Sequence, residues 1–218
     1  MILTVGCSYT YGQGLDNPEA HAWPRPLSTR LGIPLTNHSI IGASNDYIYR
    51  TVIEATADRS WDLVIVQWSE ISRYEFYNWV DPTKPKGPVQ ISVQQSSGDT
   101  AYNKWVKHLY TDQYHDELRI QQFFCQVLGL QSWLKTRNQR YLFLSMNGFL
   151  RHDLAVFEPA LKPLTAQLDQ SCILGWPDTG MSLWSKHHLL PCRHPTVQGH
   201  EIIAEKIYEH IGNLGWLS

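Results

Sequence analysis

Two short stretches at opposite ends of this 218-residue chain carry the residue types of nucleophilic catalysis. Near the start, the apolar run Ile2–Val5 stops at Gly6-Cys7-Ser8-Tyr9-Thr10-Tyr11-Gly12. A serine just past a short buried strand, in a glycine-bounded turn, stands where an open α/β sheet presents a reactive side chain. Near the end, Leu190-Pro191-Cys192-Arg193-His194-Pro195-Thr196 leads into a helix. Pro195 restricts His194 to an extended backbone and turns it away from that helix. A serine hydroxyl is a weak nucleophile until a base takes its proton, and a neutral imidazole can be that base. Taken alone, Ser8 reads more simply as a turn residue or helix cap, and His194 as a surface-loop histidine. The pair means something only if the fold brings the two ends together.

Other chemistries fit less well. Cys192, His187, His188, His194 and His200 are close in sequence, but Cys-x-His with a separate His-His pair matches no common zinc spacing. No metal and no organic cofactor is expected. The four cysteines, Cys7, Cys125, Cys172 and Cys192, are scattered without a Cys-x-x-Cys pair, as in a protein that keeps its thiols reduced. A net charge of −2 offers no basic surface for nucleic acid. No apolar run approaches the roughly 18 residues that would suggest a membrane span. The N-terminus lacks the basic and apolar regions of a secretory leader. These features point to a cytoplasmic protein with neither nucleic-acid nor membrane partners.

The elements that must position the two residues follow from patterning. Ile2–Val5 reads as a first strand, and a short helix around Pro26–Leu31 stops at Gly32. A second strand lies near Pro34–Ser39, and Ser44 or Asn45 caps a helix through about Ala57. Leu63–Trp68 is an almost continuous apolar run, as in a central parallel strand. The pattern then breaks from Ser69 to about Asp112, a stretch too long for an ordinary connection. It carries Tyr74, Phe76, Tyr77, Trp79, Tyr102 and Trp105 among prolines and glycines. Such aromatic content suits an ordered insertion over the active end of the sheet better than a disordered loop. A long helix over about Tyr114–Thr136, a strand at Tyr141–Ser145, a helix near Val156–Asp169, a short strand near Cys172–Leu174 and a last helix over Thr196–Ile211 complete one domain. Alternation of strand and helix predicts an α/β fold with a parallel sheet between two helical layers.

The two motifs resemble those of the SGNH hydrolases, also called the GDSL esterase/lipase family. Ser8 aligns with the nucleophile, His194 with the base, and Gly42 in Ile41-Gly42-Ala43-Ser44-Asn45 with the second family block. The Trp61–Trp68 stretch matches the strand before the third block. The resemblance implies a three-layer αβα sandwich with a flavodoxin-like sheet and ester hydrolysis through an acyl-enzyme. It also implies an oxyanion site built from the Ser8 and Gly42 N–H groups. Three departures stand out: Cys7 replaces the Asp after Gly, no Asn follows the third strand, and Pro191 replaces the acid before the histidine. The His194 Nδ1 proton is then expected on a main-chain carbonyl, that of Pro191 for instance, with Asp178 or an inactive site as alternatives. Asn45 reads as a replacement oxyanion donor or as a helix cap. Arg73 reads as holding a substrate anion or as pairing with Glu70 or Glu75. Trp68 and the aromatics of the insertion are expected to line a binding groove. The function expected is hydrolysis of a small acyl ester of a polar substrate, a carbohydrate for example. The alternative is a non-catalytic ligand-binding or interaction protein on the same fold.

Overall fold

The computed structural model describes residues 1–77, 88–150 and 155–217. In chain order the elements are β1 (Ile2–Val5), α1 (Ser8–Tyr11), α2 (Pro18–His21), α3 (Pro24–Leu31), β2 (Leu35–Asn37), α4 (Asn45–Thr56) and β3 (Leu63–Trp68). There follow β4 (Tyr74–Tyr77), β5 (Pro88–Ile91), α5 (Ala101–His108), α6 (Asp116–Thr136), β6 (Tyr141–Ser145), α7 (Glu158–Thr165), α8 (Met181–Trp184) and α9 (Val197–Asn213).

Four strands form a parallel sheet in the order β2-β1-β3-β6. Ile2 stands beside Leu35 on one side and Leu63 on the other, and Val64 stands beside Tyr141. Every residue of β1, β3 and β6 is buried, because helices cover both faces. Helices α4 and α6 pack together on one face, and α3 and α9 pack together on the other. The result is a three-layer α/β sandwich. All strands point the same way, so the segments after β1, β2, β3 and β6 emerge at one edge. That edge is where ligands gather in open α/β sheets.

Two expected elements differ, and one stretch gains elements that its sequence did not foretell. The short strand expected at Cys172–Leu174 is a single bridge from Ile173 to Phe143, preceded by a turn of 3₁₀ helix over Gln170–Cys172. The helix expected over Val156–Asp169 is confined to Glu158–Thr165, with Pro163 inside its last turn. Within the aromatic-rich stretch the chain forms an antiparallel hairpin of β4 and β5, then α5. Trp79 and the segment from Pro82 to Gly87 lie outside the described residues. No helix among the described residues is long and apolar enough to cross a membrane.

Candidate active site

Ser8 is the first residue of α1, directly after the turn that ends β1. The turn is fixed from beneath by one side chain, Gln67 on β3, which is fully buried. Its Oε1 accepts the Cys7 N–H at 2.9 Å and the Thr10 hydroxyl at 3.0 Å, and its Nε2 donates to the Trp68 carbonyl at 2.6 Å. A Cβ on Gly6 would fall 2.7 Å from that same Oε1, so only glycine lets the turn close over Gln67. Asn37 braces the other side. It donates to the Thr10 carbonyl at 3.3 Å while accepting from the Thr4 hydroxyl at 3.0 Å. Ser8 is thus held on a polar cradle at 3% exposure.

His194 arrives on a tight hairpin. The Arg193 N–H bonds to the Leu190 carbonyl at 2.8 Å, the Leu190 N–H bonds to the His194 carbonyl at 2.7 Å, and Leu189 bridges Pro195. Arg193 adopts a left-handed φ of 63°, a conformation that costs free energy for a non-glycine residue. The Tyr9 hydroxyl donates to the Arg193 carbonyl at 3.0 Å and holds that turn, with the Tyr9 ring 5.4 Å from the His194 ring. The histidine expected to approach Ser8 therefore does so: His194 Nε2 lies 2.9 Å from Ser8 Oγ. On the far side of the ring, Nδ1 lies 3.1 Å from the Cys192 carbonyl. A carbonyl can only accept, so Nδ1 carries the proton and the Nε2 lone pair faces the serine hydroxyl.

Among the described residues no carboxylate touches His194. The acceptor is the carbonyl of Cys192, where that of Pro191 was one expectation. Asp178 is exposed, and its main chain packs against Gly148. Burial pushes the His194 pKa below the ordinary histidine value. The bond to the Cys192 carbonyl opposes this shift, and the nearby Arg73 charge adds to it.

The other expected residues divide. Gly42 sits in the turn after β2, with φ of 78°. The chain after β2 tracks the end of β1, with the His38 N–H on the Thr4 carbonyl and the Ile40 N–H on the Gly6 carbonyl. A Cβ on Gly42 would meet nothing within 4 Å. Glycine is demanded there by the positive φ rather than by a close approach. Asn45 bonds to Ser69: its Oδ1 accepts the Ser69 N–H at 2.8 Å and its Nδ2 donates to the Ser69 carbonyl at 3.2 Å. It clamps the chain after β3, while Ser44 caps α4 by accepting the Tyr47 N–H. Trp68 is a correction. It is fully buried, edge-on to Phe123 and Phe143 at 5.6 and 5.7 Å, and lines no groove. As the last residue of a fully covered central strand it has no solvent to face.

Arg73 lies at the sheet edge. Its Nη1 donates to Ser69 Oγ at 2.9 Å and reaches the Ala43 carbonyl at 3.4 Å. The aromatics of the insertion are spent largely on one another: Tyr74 against Phe76, Tyr110 and Tyr114, and Phe76 against Trp105. Among the described residues no three of His, Cys, Asp and Glu converge as a metal site requires. Sequence reasoning missed Gln67 and Tyr9. Gln67 did leave a signal, as a polar residue in the apolar run Leu63–Trp68, since a buried amide must find partners.

Comparisons with known proteins agree with this geometry at the level of fold. The structure is similar to that of TesA, with a TM-score of 0.61 and 14% identity, covering 98% of each chain. It is similar to a catalytic variant of Axe2, an acetylxylan esterase from Geobacillus stearothermophilus, with a TM-score of 0.55 and 17% identity over 100% of this chain and 95% of that one. A lipolytic protein of the G-D-S-L family from Desulfitobacterium hafniense aligns with a TM-score of 0.56 and 10% identity, over 96% and 98% of the two chains. The chain has the SGNH hydrolase fold. No curated protein sequence matches it. A family model does match, over residues 11–218, and the chain belongs to that family, the family of unknown function DUF6071.

Proposed function

We propose that this protein is a serine-dependent ester hydrolase that removes a small acyl group from a polar alcohol, such as a carbohydrate, through a Ser8–His194 dyad. The observation that carries the reading is the orientation of one ring. With the Cys192 carbonyl on Nδ1, the free lone pair of His194 faces Ser8 Oγ at 2.9 Å. That is the arrangement a general base needs. The depressed His194 pKa keeps the ring neutral, and so able to accept a proton, at neutral pH.

In this mechanism Ser8 Oγ bonds to the ester carbonyl carbon as its proton passes to His194 Nε2. The carbonyl π pair moves onto oxygen. Collapse expels the alkoxide, which takes the Nε2 proton and leaves as the alcohol. Water then attacks the acyl-serine, giving a proton to Nε2, and collapse returns that proton to Ser8 Oγ as the acid departs. The oxyanion is met by the Ser8 N–H, which as a first-turn amide has no intrahelical acceptor, and by the Gly42 N–H. A neutral carbonyl on Nδ1 fixes the tautomer but stabilises the imidazolium less than a carboxylate would, so turnover is slow.

The test is hydrolysis of a short-chain aryl acetate. The purified protein should release acetate, and Ser8→Ala should lower the rate on the order of 10³-fold or more. Full activity in Ser8→Ala would assign the chemistry to another residue. The absence of a carboxylate at His194 among the described residues favours one rival, ligand binding without turnover, for which no acetate is released by either protein.

A further inference from the structure

The sequence offers two partners for Arg73 inside the protein, and both are otherwise engaged. Glu75 is held by Arg50 at 2.8 Å and by Gln90 at 3.1 Å. Glu70 accepts from Asn147. Among the described residues Arg73 makes no ion pair, and the acceptors of its Nη1 are neutral, the Ser69 hydroxyl and the Ala43 carbonyl. Removing a guanidinium partly from water without a counter-charge is costly, and proteins rarely leave one so.

Its position is built rather than incidental. The Arg119 guanidinium fixes the backbone of this segment, donating to the Ile71 and Arg73 carbonyls at 3.0 Å each. Asn45 clamps the main chain of Ser69, whose hydroxyl receives the Arg73 Nη1. The Ala43 carbonyl that Arg73 also reaches belongs to the residue after Gly42. A cation is thereby anchored beside the turn that meets the reacting oxygen, on the same sheet edge as the dyad. Its charge also opposes protonation of His194, so it does not serve to stabilise the charged form of its own base.

We infer that Arg73 recognises a carboxylate on the substrate, so that the ester cleaved is one whose molecule carries a carboxylate close to the scissile bond. This rests on the hydrolase reading only for where the scissile bond lies. Nη1 is spent, which leaves the edge formed by Nε and Nη2. Two parallel N–H donors on that edge match a planar carboxylate. A single cation in a protein of net charge −2 suits a monoanion better than a phosphate dianion.

The experiment compares 3-acetoxybenzoate with its neutral isostere 3-acetoxybenzamide. Wild-type protein should prefer the carboxylate in kcat/KM on the order of tenfold, as a charge-assisted hydrogen bond allows. The preference should shrink with added salt. In Arg73→Met the ratio should fall to about one, and in Arg73→Lys it should be partly restored. Arg30→Met, which removes a distant surface cation paired with Glu201, should leave the ratio as in wild type. A second arm needs no turnover: binding of the non-hydrolysable 3-acetamidobenzoate, followed by NMR, should weaken about tenfold in Arg73→Met. Carboxylate binding that depends on Arg73 without acetate release would uphold this inference and overturn the hydrolase reading. Equal turnover of both esters, or a carboxylate preference that survives in Arg73→Met, would overturn the inference. So would an absence of 3-acetamidobenzoate binding to the wild-type protein.

Discussion

Around Ser8 the chain is held by hydrogen bonds that span the sequence, whereas the segment between β3 and α6 adds to such bonds at its base a cluster of rings packed on neighbouring rings. Gln67 reaches back to Cys7 and Thr10, and Tyr9 reaches forward to Arg193. Each of these bonds has a direction, and the two at Gln67 are buried, so the geometry of the turn is specified closely. In the insertion, Tyr74, Phe76, Trp105, Tyr110 and Tyr114 form a cluster whose contacts are edge-on or tilted. Such contacts contribute stability with broad angular tolerance. The insertion is tied to the body by Arg50 on Glu75, by the Ser44 N–H on Gln90 Oε1, and by Arg119, whose guanidinium donates to the Ile71 and Arg73 carbonyls and lies 4.0 Å over the Tyr74 ring. The difference teaches that the reactive turn is set by directional polar bonds, while the insertion combines a tolerant ring cluster with polar anchors at its base, where Arg73 stands.

The strongest challenge to that contrast is Gln67→Leu. It leaves the Cys7 N–H and the Thr10 hydroxyl without their acceptor in a dry interior. Stability should fall by about 2–4 kcal/mol, and aryl acetate turnover on the order of tenfold or more, mostly in kcat. Denaturant unfolding and steady-state kinetics measure both. If kcat held while stability fell, the polar cradle would support the fold and not the geometry of Ser8.

A second challenge comes from pH. His200 on α9 is fully buried, its Nδ1 accepting the Trp23 N–H at 3.2 Å, and burial pushes its pKa down to about 4. The unfolded chain takes up a proton near pH 6.5 that the folded chain refuses until about pH 4. Stability should therefore be full above about pH 6.5 and fall by about 3 kcal/mol as pH drops towards 4. His194, shifted in the same direction, adds to this loss. Denaturant midpoints across that range would read it, and His200→Gln should flatten the profile. A stability flat from pH 7 to 4 would mean that His200 is open to water in the folded protein.

In the insertion the expected effects are smaller. Arg119→Met removes bonds to the Ile71 and Arg73 carbonyls and the stack on Tyr74. It should cost about 1–2 kcal/mol and raise amide exchange in β4 and β5 on the order of tenfold. Aryl acetate turnover should change less than in Gln67→Leu. An equal fall in kcat would show that the insertion and the reactive turn are one mechanical unit. Smallest of all, Asp178→Asn should alter kcat/KM by less than about twofold, because the Cys192 carbonyl already holds the Nδ1 proton. A loss on the order of 10⁴ would make Asp178 the missing acid.

Much of the fold was legible because period and punctuation are local. The apolar run of Leu63–Trp68 and the glycines bounding Ser8 needed no tertiary information to be read as a central strand and a reactive turn. The Cys172–Leu174 strand was misread because a single bridge to Phe143 has little to distinguish it in sequence from a longer pairing. Trp68 was misplaced for a related reason: a tryptophan at the ligand edge of a strand can face either the cleft or the core, and only its neighbours decide. For Asn45 the sequence offers an oxyanion donor or a helix cap, whereas its bonds run to Ser69, a residue far along the chain that only the fold brings within reach.

By itself the sequence determined the order along the chain of the four sheet strands and the helices that cover them, and the chemistry available at the two ends. It also ruled out a carboxylate at position 191. Those are properties of residue type and spacing. Tertiary structure alone decided that His194 turns Nε2 to Ser8 and Nδ1 to Cys192, that Gln67 supports the turn, and that Arg73 stands without an acidic partner among the described residues. Each of these depends on distances between segments far apart in the chain. The parallel sheet sets those distances by gathering the ends of β1, β2, β3 and β6 at one edge.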